Sequence, residues 1–279
     1  MTATLARFAR NRGAVVGLAV LTVVIVVALL ADMLFPQSPW RMVGRPLMPP
    51  DAGGFLMGTD TLGRDVAAAV AHGARTSLMV GVAATLATML IGVPIGAIAG
   101  YLGGVFDDLL MRFTEFFQTI PAFALAIVIV AILEPSIQSI ILAIALVSWP
   151  PVARLVRGEV LSLRSREYVQ AAVVIGQTTP RIILTQVLPN VLAPIIVLGS
   201  LMVGTSILLE SALSFLGLGD PNVMTWGFMI GAGRTRLVDA WWISFFPGIA
   251  IFLTVLALNL IGEGLNDLFN PRLSQGGGG

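Results

Sequence analysis

The stretch AVVGLAVLTVVIVVALLADML, residues 14–34, is long and apolar enough to cross a lipid bilayer as one helix. Its only ionisable residue is Asp32. An α-helix rises about 1.5 Å per residue, so about 20 apolar residues cross the ~30 Å hydrocarbon core. The run is too long for a secretory signal peptide and lacks a small-residue cleavage site. It therefore predicts a transmembrane helix and, with it, a membrane protein.

Five more apolar runs of similar length follow along the chain. Of the 279 residues, 57% are hydrophobic and only 11% are charged, whereas a soluble domain carries about 25% charged residues. The further predicted spans are residues 77–100, 113–133, 137–156, 191–213 and 243–262. We therefore expect an all-α, polytopic membrane protein with six transmembrane helices.

The distribution of arginine predicts the orientation, since all sixteen basic residues are Arg. Ten lie on one side of the predicted spans: Arg7, Arg10, Arg12, Arg112, Arg154, Arg157, Arg164, Arg166, Arg181 and Arg272. Six lie on the other: Arg41, Arg45, Arg64, Arg75, Arg234 and Arg236. Because cytoplasmic loops are enriched in basic residues, both termini are predicted to be cytoplasmic.

This orientation divides the chain into five parts. The predicted order is a cytoplasmic N-terminal segment (1–13), a first span (14–34), an external loop (35–75), a five-helix core (76–262) and a cytoplasmic tail (263–279). The external loop is rich in Pro and therefore extended rather than a further span. Together with residues 221–239 it can form a platform for an external protein, or a lid over the helix ends.

The predicted cytoplasmic loop, residues 158–189, carries signals for two short helices. Ser165 can cap a helix that begins at Arg166, with Glu167 at the positive end of its dipole. Gly176 is placed to end this helix in the left-handed conformation. Apolar and small side chains recur between these ends at helical spacing and predict one face: Tyr168, Ala171, Ala172 and Ile175.

The second helix of this loop is signalled by Thr179 as its cap and Pro180 at its first position. Leu188 and Pro189 then lead into the fifth span. A protruding helix with small side chains can dock in a groove of a partner protein, where Tyr168 would help to fill a pocket. An amphipathic hairpin lying on the lipid surface gives the same pattern, which leaves both readings open.

The loop also carries a resemblance to a known family. Its pattern is Gln170-Ala171-Ala172, three residues, Gly176, nine residues and Gln186-Val187-Leu188-Pro189. This resembles the EAA loop of ABC importer permeases: Glu-Ala-Ala, three residues, Gly, nine residues and Ile-x-Leu-Pro. Two positions depart from that motif, because Gln170 replaces Glu and Gln186 replaces Ile. Gln170 keeps hydrogen-bonding capacity but lacks the charge.

Other segments resemble one branch of these permeases, the C-type subunit of dipeptide, oligopeptide and nickel importers. They are MGTDTLGRDV (57–66) with GARTSL (73–78), LSFLGLG (213–219) with Trp226-Gly227, and WWISFFPGIAIFLTVLALNLIGEGLNDLFNPR (241–272). The resemblance extends over nearly everything from Met57 to Arg272.

The resemblance implies a type I ABC importer permease fold in the bacterial cytoplasmic membrane. It also implies a non-catalytic subunit that pairs with a second, homologous permease, two ATPase subunits carrying ATP and Mg, and an external binding protein. The implied substrates are di- or oligopeptides, with nickel or another small solute as the alternative. Residues implied in coupling to the ATPase are Glu167, Tyr168, Gln170, Ala171, Ala172, Ile175, Gly176, Pro180, Leu188 and Pro189.

The residue types present exclude several functions, independently of this resemblance. The chain contains no Lys, so it cannot form a P-loop, whose Lys reaches the nucleotide phosphates. His72 is the only His and there is no Cys, so no transition-metal site is predicted. A net charge of +1 without a basic patch gives no reason to expect nucleic acid. A stand-alone secondary transporter would be expected to show internal repeats, which are not evident. An intramembrane enzyme would need a base beside a nucleophile, and no such pair is evident in the predicted spans.

Ionisable residues in apolar spans are candidate functional groups. Glu210, toward the outer end of the fifth span, is predicted to serve the pathway or its gating, or to pair with an Arg such as Arg75. Glu115 is expected to anchor the span at the interface or to pair locally, with Arg112 as the candidate, and a transport role is the alternative. Asp60, Arg64 and Asp65 are expected to form a local salt-bridge and turn network. Small residues in the second span should allow close helix packing: Gly81, Gly92 and Gly96.

Overall fold

A computed structural model describes residues 11–269, and these residues fold into helices joined by loops. Arg7, Arg10, Arg272 and the terminal glycines therefore lie outside the described residues. The helices are α1 (Arg12–Leu34), α2 (Val66–Leu102), α3 (Gly104–Thr119), α4 (Ala122–Leu133), α5 (Ile137–Arg164), α6 (Glu167–Val174), α7 (Thr179–Ile182), α8 (Leu188–Phe215), α9 (Trp226–Gly233) and α10 (Trp242–Phe269). A π-helical turn, Ile183–Val187, joins α7 to α8.

The described helices confirm a polytopic, all-α membrane protein. Between residues 11 and 269, five helical stretches are long and apolar enough to cross a bilayer, and α3 with α4 makes a sixth if the two count as one span. The axes of α3 and α4 are bent by 83°. Ile120 is extended before Pro121 (φ −90°, ψ 128°), because the proline ring disfavours a helical conformation in the preceding residue. The prediction of one continuous helix over 113–133 is therefore wrong.

Three predicted spans continue as helices beyond the apolar runs. α2 begins at Val66, so all of residues 66–75 are helix rather than external loop. Asp65 starts it by accepting a hydrogen bond from the Ala67 amide at 2.8 Å. α5 continues to Arg164 and α10 to Phe269. The segment ends predicted at residues 75, 156 and 262 thus make these three helices too short.

Glycines set the closest helix contact, which lies between α2 and α5. A Cβ atom added at Gly92 would lie 2.6 Å from the Cβ of Val152, and one at Gly100 would lie 2.7 Å from the Arg157 carbonyl oxygen. Gly96, midway between these glycines, meets the Ala153 carbonyl oxygen still more closely. Small residues at this spacing let two backbones approach in a membrane. The contact makes α2 and α5 one packed unit.

The predicted external loop folds back onto the ends of α2 and α10. The indole nitrogen of Trp242 donates to the Thr59 carbonyl oxygen at 3.0 Å. Asp60 Oδ1 accepts from the backbone amides of Leu62 and Arg64, both at 2.8 Å. Arg64 Nε lies 3.9 Å from Asp60 Oδ2, so Asp60 and Arg64 form the predicted turn and ion pair. Asp65 is not part of it, because its side chain caps α2.

Candidate functional site

Helix α6 protrudes after α5 and contains most of the predicted coupling residues. It begins at Glu167, one residue later than predicted, and Arg166 occupies the cap position without a side-chain hydrogen bond. Ser165 instead follows the last residue of α5, Arg164, and occupies the C-cap position of that helix. The predicted Ser165 cap is therefore wrong. Glu167 does lie in the first turn, where its charge favours the positive end of the helix dipole.

The two faces of α6 have different environments. Val169 and Ala172 are buried within the chain, at 0% and 4% exposure, in a cluster with Ile182 and Val187. The opposite face is open: Tyr168 (41% exposed), Ala171, Val174 (85%) and Ile175 (72%). The prediction that Ala172 shares the outward face is wrong. Val174 is an outward residue that the helical pattern did not single out.

Gly176 ends α6 as predicted, in the left-handed conformation (φ +78°). The Gly176 amide donates to the Val173 carbonyl at 3.0 Å, and the Gln177 amide donates to the Ala172 carbonyl at 3.1 Å. These two bonds form a Schellman motif, which satisfies carbonyls that the helix end would otherwise leave free. The turn after the protruding helix is thus fixed by hydrogen bonds.

The return segment is not a separate helix but the beginning of the fifth span. α7 starts at Thr179, with Thr178 in the cap position and Pro180 in the first turn. The predicted Thr179 cap is therefore displaced by one residue. Through the π-helical turn, α7 joins α8, whose first turn contains Leu188 and Pro189. A movement of α6 can therefore reach α8 through an unbroken helical path, residues 179–215.

Gln170 bonds within its own chain. Its Nε2 atom donates to the Arg164 carbonyl oxygen at 2.9 Å, which ties α6 to the last turn of α5. A glutamine amide can donate such a bond, whereas an ionised glutamate can only accept. The departure from the motif thus supplies a contact that the usual residue could not make.

Replacing Gln170 by Glu is therefore expected to loosen α6 while leaving the rest of the fold intact. Loss of this hydrogen bond should cost about 1 kcal/mol and accelerate amide hydrogen exchange over residues 165–176 by about fivefold. The matched control is Gln186→Glu, because within residues 11–269 the Gln186 side-chain amide donates only to the neighbouring Thr185 hydroxyl, at 3.4 Å. Equal exchange rates in Gln170→Glu and the unmodified chain would contradict the tethering role.

Glu210 lies in a second polar site, where α8 meets the start of α9. Its side chain is 1% exposed, and its carboxylate accepts hydrogen bonds from the hydroxyls of Ser214 (2.7 Å), Thr225 (2.8 Å) and Ser211 (3.3 Å). Thr225 also caps α9 by accepting from the Phe228 amide at 3.0 Å. The carboxylate therefore connects two helices through hydroxyl groups.

Two predicted arginine partners are wrong. Arg75 donates to Asp32 at 3.0 Å and to the carbonyls of Ala28 and Leu29, and thus connects α2 to α1 rather than to Glu210. Arg112 and Glu115, both on α3, form no ion pair. Across residues 11–269, His, Asp and Glu side chains form no group of three that could hold a metal ion.

Sequence reasoning did not find the bidentate ion pair between Asp107 on α3 and Arg157 on α5. Arg157 Nε donates to Asp107 Oδ1, and Nη2 donates to Oδ2 at 2.6 Å. The two residues are separated by α4 and much of α5, so no local pattern connects them. A bidentate arginine–carboxylate pair is among the strongest hydrogen-bonded contacts in proteins.

Two family models match the chain and together cover most of it. Residues 92–275 match the binding-protein-dependent transport system inner membrane component. Residues 2–50 match the N-terminal transmembrane domain of oligopeptide transport permease C.

Full-length relatives agree with these matches. The chain is 39% identical to the di/tripeptide transport system permease protein DppC of Pseudomonas aeruginosa, over 96% of this chain and 91% of that protein. It is 41% identical to the dipeptide transport system permease protein DppC of Alkalihalophilus pseudofirmus, over 95% and 88%. It is 39% identical to the oligopeptide transport system permease protein OppC of Haemophilus influenzae, over 95% and 86%.

A solved structure has the same fold. The inward-facing MetNI methionine ABC transporter contains a chain that aligns with a TM-score of 0.59, covering 72% of this chain and 96% of its own length at 16% identity. The helical order described above is thus that of an ABC importer permease. The chain belongs to the family of binding-protein-dependent transport inner membrane components, in its oligopeptide permease C branch, and is a membrane-spanning permease subunit of an ABC importer.

Proposed function

We propose that this subunit imports di- or oligopeptides and is driven by ATP hydrolysis on separate subunits. The names of its full-length relatives, at about 40% identity over most of the chain, support the peptide class. The absence of Lys from the sequence supports ATP and Mg binding on a partner rather than here. The proposed assembly contains a second, homologous permease, two ATPase subunits and an external binding protein in a bacterial cytoplasmic membrane.

The outward apolar face of α6 is the observation that carries the coupling role. Ala171, Val174 and Ile175 are exposed on a helix whose other face is held by its own chain. An exposed apolar helix face of this kind fits a groove on a soluble partner. Two contacts hold it to its neighbours: Gln170 bonds to the last turn of α5, and Gly176 closes a Schellman turn toward α8. Force applied to α6 would therefore move two spans together.

The proposed gating role of Glu210 is indirect. With 1% exposure, its carboxylate does not line an open path in this conformation. It holds Thr225 and hence the start of α9, which covers the predicted outer end of the bundle. We propose that Glu210 fixes the position of α9 over this end of the bundle.

Co-purification from the native operon tests the assembly. The tagged chain, expressed with its neighbouring genes, is expected to copurify with a second permease and ATPase subunits, and the reconstituted complex to take up a labelled dipeptide only with ATP and the binding protein. Uptake by the chain alone would overturn the importer proposal. ATP-dependent uptake of Ni²⁺ but not of di- or tripeptides would overturn only the proposed peptide substrate and would leave the importer proposal standing.

A further inference from the structure

The Asp107–Arg157 pair lies where α5 approaches the protruding helix α6. Arg157 is on the final turns of α5, which ends at Arg164 shortly before α6 begins. Asp107 is in the first turn of α3 and is buried at 8% exposure, while the Arg157 side chain is 35% exposed. The pair therefore joins the base of α6 to the beginning of the broken span formed by α3 and α4.

The junction between α2 and α3 consists of two glycines. Gly103 lies between the two helices and Gly104 is the first residue of α3, and both have positive φ, 67° and 54°. Glycine populates such conformations at low cost, and without a side chain it adds little steric restriction of its own. Arg164 Nη1 reaches the Leu102 carbonyl at 3.4 Å, which secures the end of α2 but not α3.

α3 contacts both α2, which precedes it in the chain, and α5, and its contacts with α5 are of two kinds. One is the Asp107–Arg157 pair, and the other is aromatic: the rings of Phe113 and Phe117 lie 5.9 Å and 5.4 Å from Trp149. Other large side chains of α3 are exposed: Val105 (82%), Phe106 (63%), Leu109 (65%) and Phe116 (62%). Only one of the two attachments to α5 is directional and charged, and it is the one near α6.

We propose that the Asp107–Arg157 pair is a mechanical link that makes the broken span follow α5 when the ATPase moves α6. This link rests on the coupling role proposed above for α6. Bidentate geometry fixes both the distance and the angle between α3 and α5, which apolar packing does not. Asp107 and Arg157 are thus positioning residues: they set which helices move together.

The test uses the complete complex in nanodiscs with spin labels on α3 and α5. The chain contains no Cys, so Phe116→Cys and Leu161→Cys introduce its only labelling sites, both at exposed positions. With the native pair, the distance between the labels is expected to be the same with and without ATP. In Asp107→Asn it is expected to change with ATP, because α3 no longer follows α5. A nucleotide-dependent distance in the native pair would overturn the link without requiring any variant to fold.

Transport supplies the second readout. Asp107→Asn is expected to lower peptide uptake per ATP hydrolysed by about tenfold while ATP hydrolysis stays within about twofold. The exchanged pair, Asp107→Arg with Arg157→Asp, is expected to recover most of the uptake. The matched control is Asp108→Asn, since Asp108 is exposed and forms no ion pair with Arg157. Unchanged uptake per ATP in Asp107→Asn would overturn the proposal.

The same preparations separate this link from the function on which it rests. If a charge on the outward face of α6 abolishes ATPase coupling while Asp107→Asn leaves uptake per ATP unchanged, only the Asp107–Arg157 link is overturned, and the coupling role of α6 stands. If neither change affects transport, the coupling role of α6 fails as well.

Discussion

Replacing Ala171 by Arg is expected to weaken binding of the ATPase subunit by about 10- to 100-fold while the permease stays folded. Ala171 lies at the centre of the outward face of α6, between Tyr168 and Ile175. A small side chain there lets a partner groove approach the helix backbone. Arginine would fill that space and bring an unpaired charge into the contact. Titrating the purified ATPase onto the permease in nanodiscs measures the effect directly.

The matched control for Ala171→Arg is Val173→Arg on the same helix. Val173 is 48% exposed, and two residues of separation place it about 200° from Ala171 around the helix. The same charge there should change ATPase affinity by less than about threefold. Affinity that falls equally in both variants would indicate a general electrostatic effect. Affinity unchanged in Ala171→Arg would favour the alternative in which α6 lies on the lipid surface.

Ala172→Arg, in contrast, is a poor test of docking. Ala172 is 4% exposed and packs beside Val187 and Ile182, so an arginine would have to leave its charge buried or displace α6. A buried charge without a partner costs several kcal/mol. The variant would lose the ATPase through disruption of the loop itself, and its phenotype would say little about the contact surface.

The sequence predicts which residues of α6 share a face but not which edge of that face turns inward. Tyr168, Ala171, Ala172 and Ile175 lie within one arc because helical periodicity is a local property. The burial of Ala172 depends on Ile182 and Val187, which reach it only because α7 continues into α8. A tertiary contact thus buries one residue of a face whose residues are equivalent by helical periodicity alone.

The number of spans follows from the sequence because apolar run length is also local. The break at Pro121 lies inside an apolar run, so a length criterion passes over it, although the proline itself signals a helix boundary. The helix ends at Val66 and Arg164 lie beyond the apolar runs, where helix formation depends on capping and on neighbouring helices rather than on lipid.

The partners of the charged residues in the spans are the least predictable part of the site. Sequence reasoning sought an arginine for Glu210, yet the structure satisfies its carboxylate with three hydroxyl groups. It considered Arg112 for Glu115, whereas the bidentate ion pair joins Asp107 to Arg157 across two helices. Composition identifies which charges need partners, but the pairing is decided by which helices become neighbours.

A second large effect is expected from Gly96→Val, at the centre of the contact between α2 and α5. A side chain at Gly96 would collide with the Ala153 carbonyl oxygen and lie 2.9 Å from the Cβ of Val156. Overpacking a core usually costs about 1–3 kcal/mol, and the cost here should reach the upper end or exceed it, because a helix backbone cannot rotate away as a side chain can. We expect little monodisperse protein and a markedly lower melting temperature in detergent.

The matched control for this substitution is Gly158→Val on α5, where no atom lies within 4 Å of an added Cβ. It should melt at or above the temperature of the unmodified chain, since valine favours a helix more than glycine does. A melting temperature for Gly96→Val equal to that of the control would show that α2 and α5 can separate at low cost. That result would also weaken the coupling role proposed for α6, because α5 can transmit the movement of α6 to the bundle only while α2 and α5 stay packed together. Any Gly96→Val complex that does assemble should therefore hydrolyse ATP with reduced uptake, for a reason independent of the outward face of α6.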